Sequence, residues 1–152
     1  MRNIIDIQSN DNALFVTGQC NNHCLMCCQP PVKNEDIDFF YEKNMRLIDS
    51  APVELPTIGI TGGEPTLLGE RLFDLIAYIR KRLPNTHIQI LSNGRKFAES
   101  NYAERLTQVS DGMAIVGVPF HSDSPIIHDR IAGAKNAYNQ TLLGLYNLAA
   151  ND

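Results

Sequence analysis

No stretch of this chain is apolar for long enough to cross a bilayer as a helix. Its start, Met1-Arg2-Asn3-Ile4-Ile5-Asp6, lacks the apolar core and the small-residue cleavage site of a signal peptide. A cytoplasmic protein without membrane contact is therefore expected. Positive charge is not in excess: 13 Lys and Arg stand against 17 Asp and Glu, a formal net charge of -4. The densest basic run, Arg80-Lys81-Arg82, falls at the end of a predicted helix, where cations complement the negative end of the dipole. That reading argues against a nucleic-acid partner. Linkers, repeats and low-complexity segments are lacking, and no composition shift marks a second domain. Cysteine occurs only as Cys20, Cys24, Cys27 and Cys28, all in one short stretch. A disulfide framework would spread its cysteines to staple distant segments. A tight cluster in a cytosolic chain points instead to metal or redox chemistry.

What is present reads as an ordinary globular chain of 152 residues, 43% hydrophobic and 20% charged, which suffices for one domain with a core. Short apolar runs alternate with helical periodicity. Strands are predicted at 13–17, 57–61, 87–91 and 113–118, each followed by a turn signal or by the cysteines. Helices are predicted around Ile37 to Ile48, Leu68 to Leu83, Tyr102 to Val109 and Leu142 to Ala149. This alternation predicts an α/β fold with a parallel sheet, right-handed crossovers and both sheet faces covered. Four βα units are too few for a closed eight-unit barrel, so a partial (β/α) barrel is expected. The notable motifs all follow strands: the cysteines, Gly62-Gly63-Glu64-Pro65, Ser92-Asn93-Gly94 and His121-Ser122-Asp123. Parallel strands place them on one rim, where ligands of such sheets bind.

The cysteine loop reads Cys20-Asn21-Asn22-His23-Cys24-Leu25-Met26-Cys27, a C-x3-C-x2-C spacing. Three thiolates can hold three irons of a cubane and leave the fourth iron open, as a catalytic metal centre requires. A closed zinc site or a four-cysteine electron-transfer cluster would need His23 or Cys28 as the fourth ligand. Adjacent Cys27 and Cys28 tend to point apart, which disfavours such closure. On this reading His23 faces solvent or packs on the loop, and Cys28 is a small buried residue.

These residues resemble the radical S-adenosylmethionine (SAM) superfamily. The resemblance implies that Cys20, Cys24 and Cys27 ligate a [4Fe-4S] cluster and that Met26 lies against the adenine. It implies that the turn Gly62-Gly63-Glu64-Pro65 receives the SAM amino group, and that Ser92 and Asn93 meet the ribose or carboxylate. Glu64 also stands at a predicted helix start, where a carboxylate is favourable through the dipole alone. After the fourth strand, Pro119 stands where many peptide-modifying relatives carry Ser, and Ser122 is the substitute SAM contact. His128-Asp129-Arg130-Ile131 also matches the family. His121 and His128 follow the fourth strand, where a cleft-facing histidine and a solvent-facing or hydrogen-bonded structural one are equally expected, so neither receives a catalytic role. The segments Gln29-Pro30-Pro31, Thr61 to Leu68, Leu91 to Arg95 and Val118 to Asp123 resemble the radical SAM maturases of the His-Xaa-Ser system. That subgroup implies a small peptide substrate, modified through a 5'-deoxyadenosyl radical, and an electron donor such as flavodoxin or ferredoxin. The rival readings are an activase for a glycyl-radical enzyme and a noncatalytic cluster- or zinc-binding module. The superfamily core normally has six βα units. Residues 1–152 are thus expected to be a radical SAM core domain truncated after the fourth unit, or one whose open sheet edge a partner chain covers.

Overall fold

The computed structural model describes residues 5–7, 9, 11–33 and 36–151. Four strands, β1 (Ala13–Phe15), β2 (Thr57–Thr61), β3 (His87–Leu91) and β4 (Ala114–Gly117), form one parallel sheet in chain order. The helices are α1 (Ile37–Ser50), α2 (Glu70–Arg82), α3 (Ser100–Ser110), α4 (Pro125–Ala132) and α5 (Ala137–Ala150). Each strand returns beside the previous one after a helical crossover. This is the predicted α/β architecture of a partial barrel.

Local chemistry explains the helices. Asp36 caps α1, its carboxylate accepting from the Phe39 N–H at 3.0 Å. In α2, Leu72, Phe73, Leu75, Ile76 and Ile79 are buried, the spacing of one helix face, and Arg80 to Arg82 fill the last turn. The predicted helix from Leu68 is interrupted. A 3-10 turn, Pro65–Leu68, ends at Gly69, whose φ of 59° restarts the chain as α2. A second 3-10 turn, Arg95–Ala98, follows β3. Helix α4 was not predicted, because its eight residues carry little apolar periodicity.

The core lies between the sheet and the helices. Leu14, Ile58, Ile60, Ile88 and Ile90 point into it and meet Ile48, Leu72, Ile76, Ile79, Phe97 and Leu106. Each full burial of such a side chain contributes about 1.5–3 kcal/mol. Coverage of both sheet faces, expected from the apolar strands, does not hold. β3 alternates strictly, with Ile88 and Ile90 buried and His87, Gln89 and Leu91 exposed. Leu91 is 57% exposed and Ile115 is 63% exposed. Among the described residues the helices therefore pack on one face, and at β3 and β4 the period-2 pattern leaves side chains of the other exposed.

Candidate cofactor site

The carboxyl ends of all four strands share one rim, and the cysteine loop leaves β1 there. The chain passes from Phe15 through Val16, whose N–H donates to the Thr61 carbonyl at 2.9 Å, into the loop. The second-strand turn then locks onto that loop. Gly63 N–H donates to the Thr17 carbonyl at 2.6 Å, and Glu64 N–H donates to the Gln19 carbonyl at 2.8 Å. A β-carbon on Gly62 would stand 2.2 Å from the Thr17 oxygen, and one on Gly63 would stand 2.2 Å from the Gln19 oxygen. Only glycine permits this approach. The glycines thus bring two backbones together just before Cys20, beyond any role toward a ligand.

The far side of the loop rests on the end of α4. His23 N–H donates to the Ala132 carbonyl at 2.9 Å, and Leu25 N–H to the Ile131 carbonyl at 3.0 Å. Cys27 N–H donates to the Cys24 carbonyl at 3.1 Å, closing a turn with Leu25 and Met26 at its tip. Met26 is 61% exposed and Leu25 is 75% exposed. All four cysteines are free; Cys20 and Cys24 are half-buried, while Cys27 and Cys28 are exposed. The expectation of a buried Cys28 is therefore corrected: it lies past the turn, on the solvent side. His23 is exposed, as expected. Burial pushes the Cys20 thiol above its ordinary value, an Asn22 N–H donated to its sulfur opposes this, and the Glu64 carboxylate adds to the rise. A groove of about 320 Å³ flanks Cys20, lined by Gln19, His23, Pro31, Val32, Lys33 and Leu67.

Glu64 is fully buried. Its Oε1 accepts from Thr66 N–H at 3.1 Å, Thr66 hydroxyl at 2.6 Å and Ser92 hydroxyl at 2.8 Å; Oε2 accepts from Asn93 N–H at 2.7 Å. The carboxylate ties the second-strand turn to the third-strand turn, and Ser92 spends its hydroxyl on that tie. Pro65 is buried at the start of the 3-10 turn. Asn93 reaches onward, donating from Nδ2 to Asn21 Oδ1 at 2.6 Å. Ser122 stands apart from this network. Its hydroxyl accepts from Ser124 N–H at 3.1 Å, a local turn that starts α4. His128 is buried with neither ring nitrogen hydrogen-bonded, packed against Phe120, His121 and Tyr138. It is neither solvent-facing nor a hydrogen-bonded structural histidine.

The sequence reading placed Arg95 in a family-like segment but gave it no role. Its Nη1 donates to the Asn21 carbonyl and to Asn22 Oδ1, each at 2.7 Å, and its Nε donates to Gln140 Oε1 at 2.7 Å. The partners lie more than 40 residues away, so no local pattern announces them. It also missed the end of α4, where a β-carbon on Gly133 would stand 2.3 Å from the His23 oxygen.

Among the described residues, no three His, Cys, Asp or Glu side chains stand as a ready-made ligand set for a single ion. A four-iron cluster is larger than one ion and its ligands stand further apart. The donor chemistry fits such a cluster: three soft sulfurs, free of disulfides and partly open to solvent, on one loop tied down at both sides.

A parallel sheet with a loop of free thiols and a glycine turn on its carboxyl rim defines a class of α/β protein. Residues 14–152 match the family model of the Radical SAM superfamily, and the chain belongs to that family. The family's cofactors are a [4Fe-4S] cluster and SAM. Over 94 residues the chain is 29% identical to a Methanocaldococcus jannaschii protein provisionally named a glycyl-radical enzyme activating enzyme. That match covers 58% of this chain and 25% of the relative. Over 127 residues it is 28% identical to the 7,8-dihydro-6-hydroxymethylpterin dimethyltransferase of the same organism, covering 80% of this chain and 24% of that one. The fold is similar to that of native anSMEcpe with bound AdoMet, with a TM-score of 0.67 at 16% identity over 91% of this chain and 40% of that one. The structure of native anSMEcpe with bound AdoMet and Cp18Cys peptide gives 0.66 at 17% identity, with the same coverage. The chain thus spans about a quarter of the length of these curated relatives and 40% of these solved chains.

Proposed function

We propose that this chain holds the cluster and SAM of a radical SAM enzyme that modifies a small peptide. The observation that carries the reading is the loop of three free thiols, tied to the Gly62-Gly63 turn at the carboxyl rim of a parallel sheet. Cys20, Cys24 and Cys27 would hold the [4Fe-4S] cluster. When bound, the cluster would supply the electron for reductive cleavage of SAM and, through it, hydrogen abstraction from the substrate.

The chain's own residues would bind and orient. The half-exposed Gly62 and Gly63 offer backbone polar groups to the SAM amino group. Met26, at the exposed loop tip, offers an apolar surface to the adenine. The part-buried Asn93 offers its amide, and Ser122 a hydroxyl from the fourth strand's end. Glu64, Pro65 and Ser92 are buried, so their contribution runs through the shape of the two turns they tie together. A reductant such as flavodoxin or ferredoxin would supply electrons in the cytoplasm. The free edge of β4 would be covered by a partner chain or by further units of the core domain.

A peptide substrate is supported by the similar fold of anSMEcpe, solved with bound peptides. The sequence pattern favours the His-Xaa-Ser maturases within that class. The M. jannaschii relative supports a second reading, activation of a glycyl-radical enzyme.

Anaerobic reconstitution tests the proposal. The chain should take up about four irons, its EPR signal should change on adding SAM, and dithionite should release 5'-deoxyadenosine. Serine at position 20, 24 or 27 should abolish uptake, whereas Cys28→Ser should not. A parent chain that loads zinc, or a cluster indifferent to SAM, would sink it. A genomic neighbour encoding a short His-Xaa-Ser peptide, against one encoding a glycyl-radical enzyme, separates the two readings.

A further inference from the structure

We propose that Arg95 is a positioning residue for the cluster loop, clamping Asn21 and Asn22 against the third-strand turn and α5 and holding a positive charge on the first-cysteine side of that loop. This deepens the functional reading above and rests on it. Asn21 and Asn22 lie between the first and second cysteines, so whatever fixes them fixes the path from Cys20 to Cys24. Arg95 contacts both with one nitrogen and anchors its Nε on Gln140 of α5. All three acceptors are neutral, and the guanidinium keeps its charge at any accessible pH.

The anchor is firm. Thr141 hydroxyl donates to the Asn93 carbonyl at 3.0 Å, and Asn147 Nδ2 donates to the Phe97 and Ala98 carbonyls at 2.8 and 3.0 Å. Helix α5 therefore grips the turn that carries Arg95 on both sides of it. Asn93 adds a parallel bond from the same turn to Asn21. The fork geometry of a guanidinium allows this three-way bridge, and a lysine ammonium does not reproduce it.

Asn21 follows Cys20 directly, so bond lengths keep the guanidinium within about 12 Å of that sulfur. At an effective dielectric near 20, a charge at about that distance changes an equilibrium by roughly tenfold. Reduction adds negative charge to the cluster, so the cation favours the reduced form.

The test compares Arg95→Gln, which removes the charge, with Arg95→Lys, which keeps it. Each chain is first examined without cluster, measuring iodoacetamide alkylation of the half-buried Cys20 and Cys24 by peptide mass spectrometry. Arg95→Lys, which breaks the three-way bridge but keeps the charge, should be alkylated several-fold faster than the parent. Each is then reconstituted and titrated for its midpoint potential by EPR. Arg95→Gln should lose about tenfold in the reduced-to-oxidised ratio at fixed potential, about 59 mV for one electron, while Arg95→Lys should stay near the parent. Gln140→Leu, which frees the anchor but leaves the charge, replaces Arg95→Lys in the alkylation arm if the latter fails to fold by circular dichroism. Alkylation of the charge-keeping variant within twofold of the parent overturns the clamp, and an Arg95→Gln potential equal to the parent's overturns the charge placement. Failure of the parent itself to take up iron counts against the functional reading, and alkylation still decides the clamp.

Discussion

Replacing Glu64 by glutamine is the sharpest test of how the rim is assembled. The side chain is fully buried and receives four donors, three on Oε1 and one on Oε2. Glutamine of the same shape keeps one oxygen. Placed at Oε1, that oxygen still accepts from Thr66 N–H, Thr66 hydroxyl and Ser92 hydroxyl. The amide NH2 then faces Asn93 N–H, donor against donor. One hydrogen bond to a charged group is lost, worth about 1.5–3 kcal/mol, and a buried amide is left unpaired. The opposite rotamer is worse, since it faces three donors. An expected loss of about 2–3 kcal/mol corresponds to a fall in melting temperature of roughly 4–12 °C for a chain of this size. The assay is thermal unfolding of the cluster-free chain, followed by circular dichroism without SAM. Ser92→Ala removes one of the four donors and should be less costly. The double variant should fall short of the sum, because both changes act on one network. If Glu64 were instead held free for a ligand, Glu64→Gln would melt within about 1 °C of the parent and weaken only SAM binding. That result would refute the reasoning.

Two further outcomes follow from the packing and from burial. Gly63→Ala places a methyl 2.2 Å from the Gln19 oxygen, where backbone must move, so it should cost about 3 kcal/mol and reduce iron uptake. Gly69→Ala meets nothing within 4 Å and carries only the backbone strain of its φ of 59° and ψ of -127°, about 1–3 kcal/mol, with iron uptake unchanged. Burial holds the His128 imidazole below its ordinary value, helped by His121 across the ring contact and opposed by Asp129 beside it. The unfolded chain then binds the proton more readily. The stability linked to His128 is full above a pH of about 6.5 and is lost as pH falls through that value toward the folded one. Melting curves from pH 7.5 to 5.5 should therefore steepen downward in the parent and flatten in His128→Phe. Parallel profiles would refute this.

Much of the fold was legible because it rests on short-range patterns. Strand β2, its bounding glycines and the apolar face of α2 follow from periods of two and 3.6, which any local window displays. The cysteine spacing and the Gly-Gly-Glu-Pro turn were legible for a similar reason: their chemistry is written in consecutive residues. Helix α4 was missed because eight residues with a polar face and exposed isoleucines carry too weak a period. The open sheet face was missed because Leu91 and Ile115 look like core residues in sequence, and only the pleat decides which side each one takes.

By itself, the sequence determined the order of the four strands and of the four longer helices, the three-thiol loop and the family to which the chain belongs. The tertiary structure alone decided what holds that loop in place. The partners are separated by tens of residues: Gly63 on Thr17, Ala132 on His23, Arg95 on Asn21, Glu64 on Asn93. Such contacts depend on how the sheet stacks its strand ends side by side, and a hydrogen bond between distant residues leaves no periodicity in either of them.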